Sequence, residues 1–214
     1  SWLGVQIQAD LAAISGDYAR VVNLFDEFGQ IPESRPDLSA QRAAIDLHFG
    51  YLDKLQEYLQ STAYNGGQSP LKNWVAGDYY SLQGDFNRAE TAFKAGLDMD
   101  ATRAGSLVRL AKLHRAYGNT LASEDFLGAA LALNPDNHFA RSQQAELQLA
   151  QSQYGVAIDA FETLLTEKPD DLLALNSLAE AYLAQNRLDA AMQSAKKAGV
   201  VEPASALPNL TAGL

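Results

Sequence analysis

A step of 34 residues recurs along the chain and limits its possible folds more than any other feature. A small or turn-forming residue stands at this step six times, at Gly16, Gly50, Gly84, Gly118, Ser152 and Asn186. Most of these residues are followed by a polar and then an apolar residue. Gly and Asn tolerate a positive φ, which a tight connection between two helices often requires. The spacing therefore predicts an array of about six repeats with one tight turn in each.

The positions flanking these turns follow the same step. Seven residues before each turn the side chain is always small, at Ala9, Ala43, Gly77, Ala111, Ala145 and Ala179. A helix position that never accepts a large side chain predicts a close approach of two helix backbones. Seventeen residues after the last three turns stand Pro135, Pro169 and Pro203. Proline at this place ends one helix and can begin the next.

Each repeat is predicted to form two short amphipathic helices. Residues 172–184 place Leu175, Leu178 and Tyr182 on one side at helical spacing, and residues 188–198 form a second apolar face. One such pair cannot bury its apolar face alone, whereas stacked pairs can. The chain is therefore predicted to be all-α, with its core built between neighbouring pairs.

These spacings resemble the tetratricopeptide repeat. The resemblance is strongest in the last repeat, with Leu175, Leu178, Ala179, Tyr182, Ala191, Ala198 and Pro203, and in the third, with Gly77, Tyr80, Gly84, Phe86, Ala89 and Phe93. It implies a right-handed superhelical α-solenoid of antiparallel helix pairs. The predicted repeats span 2–35, 36–69, 70–103, 104–137, 138–171 and 172–205, followed by a cap or the start of a further repeat in 206–214. The second repeat diverges, because Arg42 and Asp46 stand where the family prefers Leu and Tyr.

Charge and composition disfavour several classes of function. The formal net charge of -10 disfavours non-specific nucleic-acid binding and docking on an anionic membrane. The absence of cysteine excludes disulfides, thiolate nucleophiles and Cys-ligated zinc. No apolar run approaches the roughly 20 residues of a membrane-spanning helix, so no membrane insertion is predicted.

Both a cytoplasmic and a periplasmic location fit this composition. The start at Ser1-Trp2, without Met, is typical of a trimmed or processed chain.

No catalytic, cofactor or metal motif is found. His48, His114 and His138 form neither an HxxxH nor an HExxH pair, and the Gly-rich phosphate-binding patterns are missing. We therefore predict no catalytic residue, no cofactor and no metal ligand, and expect the chain not to be an enzyme.

The resemblance implies a platform for a protein or peptide partner. In proteins similar to this one, the first helix of each pair lines a concave groove that holds a peptide or a partner helix. The residues predicted to face that groove are Trp74, Asp78, Arg109, Lys112, Arg115, Phe139, Gln143, Glu146, Asn176 and Glu180.

The first helix of the fourth repeat is basic. Arg109, Lys112 and Arg115 are spaced by three and form nearly one stripe, which we interpret as a binding site for an acidic side chain or a terminal carboxylate. Trp74 and Phe139 would supply apolar anchors. The alternative interpretation is a solvated basic face balanced by Asp78, Glu146 and Glu180. The Lys and Asn pattern of chaperone-binding members is not matched, which disfavours a co-chaperone.

Two further functions remain open at this point. The chain fits a regulatory or assembly module of a larger protein, such as a bacterial envelope or secretion protein, whose catalytic or membrane part lies outside it. It also fits a repeat protein that associates with itself through a terminal repeat, giving a homo-oligomer.

Overall fold

The computed structural model describes residues 18–28, 31, 36–48, 50–61, 64–65, 70–99 and 103–201. These residues form eleven α-helices and contain no strand. The chain divides into two compact units, residues 1–109 and 110–214. The predicted first helix of the first repeat, Pro203 and the segment 206–214 lie outside the described residues.

The first unit contains α1 (Tyr18–Phe28), α2 (Pro36–His48), α3 (Leu52–Gln60), α4 (Pro70–Leu82) and α5 (Phe86–Ala95). The division between the units falls within α6 (Arg103–Ala116). The second unit continues with α7 (Thr120–Leu133), α8 (His138–Ala150), α9 (Tyr154–Glu167), α10 (Leu172–Ala184) and α11 (Leu188–Val201). The odd-numbered helices, here called second helices, begin at residues 18, 52, 86, 120, 154 and 188, which are 34 apart. The even-numbered helices, here called first helices, begin at 36, 70, 103, 138 and 172.

The turn inside each helix pair has the predicted left-handed backbone. The φ angle is +73° at Gly50, +72° at Gly84, +76° at Gly118, +63° at Ser152 and +58° at Asn186. Each turn closes with the same two hydrogen bonds; for example, the Asp85 N–H donates to the Tyr80 carbonyl and the Gly84 N–H to the Ser81 carbonyl. This is the pattern of a Schellman motif, which satisfies carbonyls left unpaired at a helix end. Gly16 lies outside the described residues.

At Gly77 the small side chain has a different cause from the one predicted. At Gly77 an added Cβ would overlap the ring of Phe93, a residue of the second helix α5, and not a helix backbone. Ala43, Ala111 and Ala145 at the equivalent positions are at most 2% exposed. At Gly77, the small position therefore makes room for a large side chain of the paired second helix.

Each unit has its own apolar core. In the second unit α10 packs on α11 and on α9, and α8 packs on α9. Their shared cluster contains Phe161, Ile158, Leu164, Leu178 and Tyr182, each at most 6% exposed. In the first unit α2, α3 and α4 meet around Leu55, Tyr58 and Val75. The first helices α8 and α10 begin at side-chain caps, where Asn137 accepts from the Ala140 N–H and Asp171 from the Ala174 N–H.

The divergence of the second repeat is explained by an ion-pair network in the first unit. Arg42 donates to Asp46 within α2 at 3.1 Å and to Asp26 of α1 at 2.8 Å. The Asp46 side chain is only 6% exposed, so its charge needs this partner. A polar contact between α1 and α2 thus replaces the apolar pair that the family prefers.

Candidate functional site

A compact cluster in the first unit joins α4 to the start of α6. The Trp74 indole N–H donates to Ser106 Oγ at 2.8 Å, and Ser106 is fully buried. A Cβ at Gly105 would overlap the indole ring, so glycine at this position is what admits the ring. The guanidinium carbon of Arg109 lies 4.2 Å from the centre of the Trp74 ring, within the range of a cation–π contact.

The same guanidinium is also held by an acid. Arg109 Nε donates to Asp78 Oδ2 at 3.2 Å, with the two side chains 25% and 34% exposed. At this exposure the ion pair contributes about 0–1 kcal/mol to stability. The indole and the carboxylate together fix the plane of the guanidinium. The structure therefore brings together Trp74, Asp78 and Arg109, three of the predicted groove residues.

A second ion pair joins α6 to α8 in the second unit. The Arg115 guanidinium donates to the Glu146 carboxylate and, at 3.4 Å, to Gln143 Oε1. Arg115 is 24% exposed and Glu146 only 12%, so this pair is more buried than that of Arg109. Gln143 is 2% exposed, which differs from the expectation that it faces a ligand. Its side chain instead supports Arg115.

The remaining predicted residues are exposed. Lys112, Asn176 and Glu180 are exposed on their helices. Phe139 of α8 is 42% exposed, and Leu173, at the same position of α10, is 41% exposed. Large apolar side chains thus reach solvent at equal positions on successive first helices.

The predicted basic stripe is not a row of three free cations. Arg109 binds Asp78, and Arg115 binds Glu146, so two of its three charges have acidic partners on a neighbouring first helix. These two ion pairs favour the alternative interpretation, a basic face balanced by acids. Lys112 is the most exposed member of the stripe.

Metal-binding clusters and membrane-spanning helices are absent from the described ranges. No group of three or more His, Asp or Glu side chains there is arranged to hold a metal ion. Within the same ranges no helix combines the length and the apolar character needed to cross a bilayer.

Comparison with known proteins gives one family. Residues 142–199 match the family model of the tetratricopeptide repeat. Residues 142–199 therefore belong to tetratricopeptide repeats. No curated protein matches the chain significantly.

Solved tetratricopeptide repeat structures share this fold. A thermophilic protein of Thermus thermophilus aligns with a TM-score of 0.65 at 20% identity, covering 84% of this chain and 94% of its own. A tetratricopeptide repeat protein of Parabacteroides merdae gives 0.62 at 19% identity, covering 92% and 78%. YrrB, described as having an unusual peptide-binding site, gives 0.51 at 16% identity, covering 82% and 91%. These likenesses establish an all-α tetratricopeptide solenoid fold, and the repeat family supports an interaction scaffold as the class of function.

Sequence reasoning missed Gly105 and Ser106, on which the position of Trp74 depends. The sequence contains one signal for this contact. Gly105 is a glycine one helical turn before Arg109, and a glycine inside a helix permits the close approach of a large neighbouring group.

Proposed function

We propose that this chain is a non-catalytic scaffold that binds a segment of a partner protein on its first helices. The supporting observation is the matched exposure of Phe139 and Leu173, because large apolar side chains at equal positions of successive helices can anchor one partner segment. Asn176 and Glu180, exposed on α10, would supply polar contacts at the edge of that surface.

In the first unit the proposed contact surface is the cluster of Trp74, Asp78 and Arg109. Its guanidinium plane is already fixed by the indole ring and the carboxylate, so binding would cost little side-chain entropy. Trp and Arg are among the residue types most enriched in binding hot spots. In the second unit, Lys112 would contribute an exposed charge of its own, and the contacts of Arg115 with Glu146 and Gln143 would hold α6 against α8. YrrB, whose likeness shows the fold alone, is described as having a peptide-binding site.

Affinity purification from the native source with surface variants tests this proposal. One variant carries Trp74→Ala with Arg109→Glu, and another carries Phe139→Ala with Leu173→Ala. The matched control carries Leu121→Ala with Leu188→Ala, which removes two exposed leucines from second helices. Circular dichroism of each variant verifies folding.

We expect the wild type and the control to retain a partner that at least one first-helix variant loses. Recovery of the same proteins by all four chains would refute binding on the first helices. Loss by the control alone would place the interaction on the second helices.

A further inference from the structure

One repeat differs from its neighbours at an aromatic position near the end of the first helix. Residues at the repeat spacing are Tyr80, His114, Gln148 and Tyr182. Three of them carry a ring, and Gln148 of α8 does not. The His114 ring lies 5.3 Å from that of Phe126, and the residue 34 after Phe126 is Ala160. The repeat that contains α8 therefore lacks both members of this ring pair.

Tyr182 shows what occupies this position in the following repeat. Its hydroxyl donates to the Glu162 carboxylate of α9, and the Arg187 guanidinium lies 4.4 Å from the centre of its ring. The residues 34 before Glu162 and Arg187 are Gly128 and Gln153. Around Gln148, therefore, the ring and its acidic partner are absent, and the cation that stacks on the ring is replaced by an amide.

A cleft of about 310 Å³ lies at this place, between α7 and α8 of the second unit. Its lining contains Leu127, Leu147, Gly128, Gln148 and Glu124, with further glutamines at 144, 151 and 153. A Cβ added at Gly128 would meet no atom within 4 Å, so this wall is open. We name this space the glutamine cleft.

The polar lining of the glutamine cleft favours a ligand that donates a hydrogen bond. Gln148 Oε1 is buried and accepts no hydrogen bond from the described residues. A buried acceptor without a donor costs free energy, so a ligand that supplies one is favoured. Glu124 Oε1 already accepts from Gln151 Nε2 at 2.5 Å. Gln148 Oε1 is instead a buried acceptor of the lining that a ligand could supply with a donor.

We propose that the glutamine cleft binds a tyrosine side chain of a partner polypeptide. The ring would pack on Leu127 and Leu147, at the place that corresponds to the Tyr182 ring in the following repeat. The phenolic hydroxyl would donate to Gln148 Oε1. A cleft of this volume lies at the small end of ligand sites, which suits one side chain better than a cofactor.

This site is separate from the surface proposed above. Gln148 follows Phe139 by nine residues, which at about 100° per residue places the two on opposite sides of α8. Binding at the glutamine cleft therefore does not depend on the function proposed for the first-helix surface.

Titration of the full chain with N-acetyl-tyrosinamide, followed by NMR of the leucine methyl groups and glutamine side-chain amides, tests this proposal. We expect saturable shifts at Leu127, Leu147 and Gln148. N-acetyl-phenylalaninamide should bind about tenfold more weakly, because it lacks the donor for a buried acceptor. N-acetyl-leucinamide should bind more weakly still, because it lacks a ring.

Two variants close the cleft in different ways. Gln148→Tyr restores the aromatic residue of the other repeats, and Gly128→Leu fills the open wall from the exposed side of α7. Each should weaken N-acetyl-tyrosinamide binding at least about tenfold. Gln60→Tyr, at an exposed position in the first unit, is the matched control and should leave the affinity unchanged. Because Gly128 has free space around it, its variant remains informative if Gln148→Tyr fails to fold.

The proposal is overturned if the three amides bind equally, if the shifts map outside the glutamine cleft, or if Gly128→Leu binds as the wild type does. The absence of any saturable shift with the wild type would overturn it as well.

Discussion

The residues with a left-handed backbone mark the turn of each helix pair. Three of the five described ones are glycines, whereas Ser152 and Asn186 carry side chains at φ of +63° and +58°. An L-residue in this conformation costs roughly 1–2 kcal/mol, and glycine avoids this cost. The five turns are therefore chemically unequal although their hydrogen bonds are the same.

The same substitution should have opposite effects at two glycines. Gly84 has a φ of +72° in a turn, whereas Gly128 lies inside α7 with open space around it. Gly84→Ala should lower the free energy of unfolding by about 1 kcal/mol through strain. Gly128→Ala should raise it by up to about 1 kcal/mol, because alanine favours the helix. Urea denaturation of both variants measures the two changes. If the free energy of unfolding changed in the same direction in both variants, backbone conformation would not determine the effect of replacing these glycines.

Residue-scale features differ in how far the sequence could predict them. The turn glycines were predictable, because a positive φ is a local requirement that restricts the residue type directly. The stack of Arg109 on Trp74 was not, because it depends on the space left by Gly105 and on the hydrogen bond to Ser106. The burial of Gln143 under Arg115 was missed for the same reason: helical spacing gives a direction but not the depth of a side chain.

At the scale of elements, the α9–α10 contact contains a titratable group. Burial, and then the hydrogen bond to Glu162, raises the pKa of the Tyr182 phenol above its ordinary value. The fold therefore favours the neutral phenol. The stability that this provides is fully present below the unfolded-state pKa of about 10. It is lost as the pH rises through the higher folded-state pKa.

Tyr182→Phe should weaken the alkaline loss of stability. We expect the melting temperature of the wild type to fall more steeply above about pH 10 than that of the variant, because phenylalanine has no proton to lose. Below that pH the variant should melt at a lower temperature by a constant amount, since it lacks the hydrogen bond to Glu162. Thermal scans between neutral and strongly alkaline pH measure both. Parallel curves for the two proteins would contradict the assignment of this titration to Tyr182.

The helices of the last repeat were predictable, because their apolar residues follow helical spacing. The predicted helix over residues 172–184 is α10, and the one predicted from residue 188 is α11. The cause of the small position was not predictable, since a small residue fits a nearby ring as well as a nearby backbone. Only the position of Phe93 against Gly77 distinguishes the two.

At the scale of the whole molecule, a destabilising substitution in one repeat of an array acts mainly on the adjacent repeats. Phe161 of α9 is fully buried in the core of the second unit. Phe161→Ala should therefore destabilise that core by about 3–5 kcal/mol. Amide exchange should accelerate throughout α8 to α11.

Hydrogen exchange with mass spectrometry measures this effect segment by segment. We expect α2 and α3, in the first unit, to keep most of their protection, because their core is formed around Leu55 and Val75. An equal loss of protection in all helices would instead show that the chain unfolds as one cooperative body. Leu133→Ala, at an exposed position, is the control and should change stability by less than about 0.5 kcal/mol.

The second helices begin every 34 residues without exception among those described. A duplication or deletion of 34 residues therefore joins any turn to an equivalent turn, and each helix meets a neighbour of the expected kind. Insertion or deletion of one residue inside a helix instead rotates the following residues of that helix by about 100°, which turns part of its core face toward water. Insertion or deletion of whole repeats therefore preserves the packing of this chain, whereas nearly every other insertion inside a helix disrupts it.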